Sequence, residues 1–231
     1  LWRKFNLTKE FSIIIPTLNE ESTIDNQLSE LRELKNIFDI EVIVIDGRSK
    51  DNTLNYCDKR VDKIRVINSD RALQQNLGAS IADGKYLVFL HADTKITKKN
   101  FIELEQKSRA LKWGFFRLKF NSTKMKYKCL SAVINLRSLI FSYCTGDQCI
   151  VIKKSLFRKI NGFSDIRLME DLEISKKLNQ HSNPVYFSSA VITSARRWEK
   201  FGYWQTIFRM RCLRLLYFFG FDTNLLKKMY K

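Results

Sequence analysis

The stretch FSIIIPTLNEESTIDNQLSELRELKNIFDIEVIVID, residues 11–46, decides how the chain is read. Phe11, Ser12, Ile13, Ile14 and Ile15 form a short β-branched run that Pro16 is expected to stop, as at the end of a buried strand. Ile24, Leu28, Leu31 and Leu34 then recur at helical spacing, and residues 41–46 (EVIVID) make a second strand. The alternation continues outward. Residues 51–59 can form a short helix, 64–67 a third strand, 72–82 a helix with Leu73, Leu77 and Ile81 on one face, and 86–90 (YLVFL) a fully apolar strand. Apolar strands separated by helices predict a parallel sheet covered on both sides, a Rossmann-like half whose ligands gather beyond the carboxyl ends of the strands.

The second half is less regular. Residues 115–120 and 149–152 read as strands, 127–143 and 168–178 as helices, and 201–219 as a long helix rich in aromatics and arginine. The expected architecture is one α/β domain over 1–231: a nucleotide-binding half at about 11–95 with a mostly parallel sheet, fused to a mixed acceptor-binding half at about 96–231. Two prolines and eight glycines leave little material for linkers. The chain begins at Leu1 rather than Met, which leaves a natural start upstream open.

Charge is unevenly divided. Residues 1–100 carry 16 Lys/Arg against 15 Asp/Glu, whereas 101–231 carry 25 against 9, so nearly all of the +17 lies in the second half. A basic surface attracts phosphates or anionic head groups. Residues 196–231 hold 9 Lys/Arg and 10 aromatics, the composition of an interfacial helix or of a core-covering helix with snorkelling arginines. No nucleic-acid module is recognisable, so nucleic acid is not expected as a partner. The five cysteines form no CxxC pair and are expected as reduced thiols. No signal peptide is seen and no apolar run reaches the ~18 residues of a spanning helix. The nearest, residues 130–143, is broken by Asn135 and Arg137. A cytoplasmic protein is expected, with peripheral contact at the inner membrane face as an option.

Several polar residues fall where such a sheet binds ligands. Asp46 ends a strand and is expected to face the crevice, while Ser49 and Asp51 suit either ligand contact or turn and cap roles. Asn19 and Glu20, after the first strand, suit a pocket or a helix cap equally well. GxGxxG and Walker sequences are absent from that loop, which argues against nicotinamide and P-loop chemistry. His91 and Asp93 lie two apart in an extended segment, so both can turn to one divalent cation, Mg2+ or Mn2+; His91 also suits a structural role. Glu170 and Asp171 are adjacent acids, suited to a general base through mutual repulsion or to the start of a helix through its dipole. Gly146, Asp147 and Gln148 suit a substrate loop; Arg196 and Arg197 suit phosphate oxygens, and Trp198 can stack on a sugar or simply pack.

In order, SIIIPTLNE (12–20), DGRSKDNT (46–53), FLHADT (89–94), TGDQ (145–148), MEDLE (169–173) and ARRW (195–198) resemble the family 2 glycosyltransferases. The motifs HADT, GDQ, MED and SARRWE are most similar to those of the small soluble subgroup called selenodomain-associated transferases. The resemblance implies a GT-A fold and a hexosyltransferase-type enzyme using a nucleoside-diphosphate sugar. It implies that Asp46 holds the base, with Pro16, Thr17, Asn19 and Glu20 lining that pocket and Arg71 and Ala92 joining the donor site. Asp93 matches the metal-binding acid of the DxD motif, and Asp171, with Glu170 beside it, the catalytic base. Gly146, Asp147 and Gln148 match the acceptor loop, and Arg197 and Trp198 the RW of QxxRW. His91 departs from the acid of many relatives and leaves the metal open. Ser194 replaces the Gln of QxxRW, which favours a single transfer over processive synthesis. The expected reaction is an inverting in-line displacement onto a hydroxyl, with the cation at Asp93 and Arg196 or Arg197 stabilising the leaving diphosphate. A sugar nucleotidyltransferase and a non-catalytic basic module on an anionic membrane are the alternatives.

Overall fold

The computed structural model describes residues 9–230; residues 1–8 and 231, with the expectations about Leu1 and the outermost ends of the domain, lie outside them. The first half forms β1 (Phe11–Thr17), α1 (Glu21–Lys35), β2 (Ile40–Asp46), α2 (Thr53–Cys57), β3 (Lys63–Val66), α3 (Arg71–Ile81) and β4 (Tyr86–Phe89). The four strands pair in parallel in the order β3-β2-β1-β4. Period-two alternation accounts for their apolarity on both sides. Ile13, Ile15, Val42, Val44 and Val88 pack with Leu28 and Leu31 of α1, whereas Ile14, Ile43, Ile45, Leu87 and Phe89 pack with Ala72 and Ala79 of α3.

Pro16 does not stop β1, which runs on to Thr17. The Ile14 carbonyl accepts from Leu90 N–H, so Ile14 and, two residues on, Pro16 present their backbone groups toward β4. The β1–β4 ladder ends at Ile14 and Phe89. The donor that proline lacks is therefore one that β4 no longer needs, and the two strands part there. That parting is the switch point of the sheet, where ligand crevices open.

The second half adds β5 (Thr94–Lys95), α4 (Lys98–Lys107), β6 (Trp113–Phe120), α5 (Met125–Phe141), β7 (Ile150–Lys153), α6 (Lys154–Lys159), α7 (Glu170–Asn179), β8 (Val185–Thr193), α8 (Arg196–Lys200), α9 (Tyr203–Phe218) and α10 (Thr223–Tyr230). Its strands join the same sheet, in the full order β3-β2-β1-β4-β7-β6-β8-β5, with β4–β7, β7–β6 and β8–β5 antiparallel. No helix among the described residues is long and apolar enough to cross a membrane. All five cysteines are free thiols.

β8, a nine-residue strand, was not expected. Ser188 and Ser189 interrupt its apolar pattern because they form a bulge: Phe116 pairs Phe187, but Arg117 pairs Ala190. The Glu103 carboxylate of α4 accepts from Ser188 N–H at 2.7 Å, Ser188 Oγ–H at 3.0 Å and Ser189 N–H at 2.8 Å, and Lys107 Nζ lies 2.7 Å away. Burial opposes the ionised form, but the hydrogen bonds from Lys107, Ser189 and Ser188 outweigh it and pull the Glu103 carboxyl down to about 2. A depressed carboxyl stabilises the fold above its unfolded pKa and loses that contribution as pH falls toward the folded value. Glu103→Gln is therefore expected to cost about 1–3 kcal/mol at neutral pH. In urea titrations that difference should shrink steadily from about pH 5 to about pH 3; a pH-independent difference would mean that packing, not charge, is lost.

Candidate active site

Beyond the carboxyl ends of β1 and β4 lies a cavity of about 990 Å3. Pro16, Asn19 and Glu20 line it from the β1 loop, and His91, Ala92 and Asp93 from the β4 turn. The turn is held from outside. Gln27 of α1, buried, donates through Nε2 to the carbonyls of His91 and Thr94 at 3.0 Å each. Ser194 N–H, just past β8, donates to the Asp93 carbonyl at 3.1 Å.

Thr145, Gly146 and Asp147 enter from a 3-10 turn closed by a Thr145–Gln148 capping box. The Gly146 N–H donates to Asp171 Oδ2 at 3.0 Å, and Asp147 Oδ1 lies 2.9 Å from His91 Nδ1. Asp171 sits in the first turn of α7, after Met169, whose φ of +69° is a left-handed conformation at the helix cap. Residues in that region are costly, and Met169 is held by burial against Leu172, Leu213 and Leu226. Its neighbour Glu170 is buried and pairs with Arg71 Nη1 at 3.3 Å.

The charges interact. Burial first, then Asp147, pushes the Asp93 carboxyl up, with His91 opposing. Asp147 is held low: burial acts against its charge, but the His91 hydrogen bond and charge prevail, with help from Arg71 and Arg197. Glu170 is raised by burial and by Asp171, against the pull of Arg71. Desolvation opposes the Arg71 charge, and the carboxylates of Glu170, Asp147 and Asp171 more than offset it. Ligand atoms of His91, Asp93 and Asp147 all lie within 4.8 Å of one another, the one such group of potential metal ligands among the described residues. His91 Nε2 is buried without a hydrogen-bond partner.

Several sequence-derived candidates stand elsewhere. Asp46, expected to face the crevice, is fully buried and outside the cavity lining. Its carboxylate accepts from Thr17 Oγ1 at 2.9 Å and from Ser49 N–H and Oγ–H at 2.7 and 2.6 Å. Thr17 is buried with it. The two loops close on each other, since Asn19 N–H donates to Ser49 Oγ and Lys50 N–H to Asn19 Oδ1. Gln148 is also buried and faces inward. Its Oε1 accepts from Ser138 Oγ at 2.8 Å and Thr145 N–H at 3.1 Å, and its Nε2 donates to the Phe116 carbonyl. Of the two adjacent acids only Asp171 lines the cavity.

Arg196, Arg197 and Trp198 all line the cavity. Arg196 pairs with Glu20 at 3.0 Å, joining α8 to the β1 loop. The Arg197 guanidinium lies 4.3 Å over the Tyr230 ring, and Trp198 packs edge-on against Phe120. Arg137 of α5, Arg211 and Arg214 of α9 and Tyr230 of α10 line the same cavity. In the sequence the arginines of α9 read only as part of a basic interfacial or core-covering helix, and Arg137 only as a charge that breaks an apolar run. The other break in that run, Asn135, is buried and pins α5 to β6 through Leu118 N–H and carbonyl at 2.8 and 2.9 Å.

Residues 12–109 match the family model described as Glycosyl transferase family 2. The 4,4'-diaponeurosporenoate glycosyltransferase of Staphylococcus haemolyticus is 25% identical over 149 residues, 60% of this chain and 39% of its own length. The chain thus spans well under half the length of that relative. Among solved structures, S. aureus TarS 1-349 in complex with UDP-GlcNAc superimposes with a TM-score of 0.65 at 20% identity, over 80% of this chain and 58% of that one. The mannosyltransferase PcManGT from Pyrobaculum calidifontis, in complex with GDP-Man and Mn2+, gives 0.65 at 16% identity over 89% and 61%. The fold is GT-A.

Proposed function

From the match of residues 12–109 to the family 2 glycosyltransferase model, we propose that the chain moves a single sugar from a nucleoside-diphosphate sugar to an acceptor hydroxyl, with inversion. One observation carries the reading. Asp171, held by the Gly146 N–H, shares a ligand-sized cavity with the His91–Asp93–Asp147 group at the switch point of the sheet. The neighbours that hold UDP-GlcNAc and GDP-Man support the donor class.

In the reaction the acceptor oxygen bonds to the anomeric carbon and its proton passes to the Asp171 carboxylate. The bond from the anomeric carbon to the diphosphate oxygen breaks, and its electron pair leaves with the nucleoside diphosphate. Arg197, which has no carboxylate partner among the described residues, and Arg71 bring positive charge to the leaving group. Arg196 is spent on Glu20 and serves the architecture of the loop.

His91, Asp93 and Asp147 fit a divalent cation. The Asp147 charge disfavours ionisation of Asp93, and the two carboxylates are joined by an imidazole with an unpartnered buried nitrogen, a donor set suited to Mn2+ or Mg2+. A cation bound there would supply positive charge to the diphosphate oxygens.

The test is a thermal-shift screen of nucleoside diphosphates and nucleotide sugars with and without Mn2+. A ligand at about 100 times its Kd should raise Tm by roughly 5–10 °C in a chain of this size. Asp93→Ala is expected to remove the Mn2+-dependent part of that shift. A shift that survives in the variant would take Asp93 out of the metal group. No shift with any nucleotide, from folded protein, would discard the transferase reading.

A further inference from the structure

The cavity has a second charged region. Arg137 of α5 and Arg211 and Arg214 of α9 line it, the latter two three residues apart on one helical face. Among the described residues the arginines that form ion pairs are Arg60, Arg71, Arg167 and Arg196, and none of these three is among them. Arg137 donates from Nη2 to Ser138 Oγ at 3.1 Å, while its Nε is buried with no acceptor. Burial and the neighbouring Arg214 hold Arg137 down to about 10. Guanidinium groups that line one cavity and form no ion pair among the described residues constitute a site for an anion. Asp171 lines the same cavity, and its charge favours the ionised forms of both Arg137 and Arg214, so the cluster lies on the base side.

The same two helices supply an apolar wall. Leu130, Val133 and Ile134 of α5 and Trp204, Ile207 and Met210 of α9 all line the cavity, and Leu130, Ile134 and Ile207 share one apolar cluster. The wall continues outside. Val133, Leu136 and Ile140 recur at i, i+3 and i+7, and Trp204, Phe208 and Leu215 at i, i+4 and i+11. All six are 54–76% exposed. Val133 and Trp204 belong to both the lining and the outer stripe, so each helix carries apolar side chains from the cavity to its exposed face. Lys126, Lys128, Lys200 and Arg209 are exposed on or beside these helices. An apolar stripe edged with cations suits the interface of an anionic bilayer.

We propose that the base side of the cavity binds an anionic membrane lipid: the phosphate of its head group on Arg137, Arg211 and Arg214, and its hydrocarbon along the stripe from Val133 and Trp204 outward. This rests on the cavity being the transfer site, and names the acceptor as a lipid presented from a bilayer. The charge and the apolar stripe select the same occupant. A free phosphate has no use for the stripe, and a neutral lipid has none for the arginines.

Co-sedimentation of the full chain with vesicles tests it, using phosphatidylcholine alone and phosphatidylcholine mixed with phosphatidylglycerol. Binding is expected only with phosphatidylglycerol. Arg137→Gln combined with Arg214→Gln should weaken it about tenfold or more. A charge-matched control, Lys50→Gln with Lys112→Gln, removes two exposed cations outside the cavity and should weaken it less than about twofold. Trp204→Ser with Phe208→Ser should also weaken binding while leaving the arginines in place. Equal losses in the arginine and lysine variants would mean attraction by overall charge and would overturn the proposal. So would glycerol phosphate raising Tm while vesicles are not bound, which would identify a free-phosphate site. Should the double arginine variant fail to fold, Arg214→Gln alone carries the same comparison. The nucleotide-plus-Mn2+ shift keeps the two readings apart. If it is present without vesicle binding, the lipid subsite alone fails. If it is absent while vesicles bind through the arginines, the transferase reading fails.

Discussion

Asp171→Asn is expected to lower sugar transfer by about 10^3-fold, or about 4 kcal/mol of barrier, with nucleotide binding nearly unchanged. The asparagine is close in shape, and its carbonyl can still accept the Gly146 N–H that now reaches Oδ2 at 3.0 Å. What it cannot do is take the acceptor proton. Asp171 is the one acid of the adjacent pair that faces the cavity, because Glu170 is turned inward onto Arg71. No nearby carboxyl on α7 stands ready to replace it. The assay is release of nucleoside diphosphate from the donor identified by thermal shift, with the Tm response to that donor measured in parallel. Turnover within about tenfold of wild type would remove Asp171 from the role of base.

The second large effect is expected from adding a single methyl group. In Gly146→Ala the new Cβ would lie 2.2 Å from His91 Nε2 and 2.3 Å from Cε1, closer than real contacts allow. The imidazole has to shift, and it is the group tied to Asp147 at 2.9 Å. The same backbone position donates to Asp171, so one displacement disturbs both ends of the proposed chemistry. Transfer is expected to fall about 10^2-fold, the usual consequence of misplacing reacting groups by an ångström. Weaker Mn2+ dependence of the nucleotide Tm shift should accompany it. Stability should drop by only about 1–3 kcal/mol, because the strain is local. A Mn2+ titration that overlays the wild-type curve would show that the His91 position does not govern metal affinity.

How much of this was legible in the sequence depended on whether the signal was periodic or spatial. The parallel half was legible because Ile13 to Ile15, residues 41–46 and residues 86–90 are apolar on both faces and spaced by helices. Pro16 misled because a strand can tolerate proline where its neighbour has already departed. β8 was hidden because its bulge inserts Ser188 and Ser189 into an otherwise apolar run, and the partner that steadies them, Glu103, is 85 residues away. Asp93 and Asp171, singled out by position after a strand and at the start of a helix, both line the cavity. Asp46 has the same address, but its carboxylate is taken up by the hydroxyls of Thr17 and Ser49, a pairing that local pattern does not encode. The arginine cluster was hardest. α5 carries apolar residues around much of its circumference, exposed Leu136, Leu139 and Ile140 as well as buried Leu130, so no polar face marked where Arg137 would point.

The eight strands form one uninterrupted sheet, and that has a mechanical consequence. Bending the two halves of the sheet apart would break the ladder hydrogen bonds between β4 and β7 at its middle. What stands outside the sheet is the cap of α8, α9 and α10. It is latched to the rest by Arg196 on Glu20, Tyr217 on Glu173 and Lys227 on Asp70. Any widening of the cavity on this side would therefore have to release these latches and move the cap. The surface on which the cap would rest in a bilayer is the same surface that would have to move.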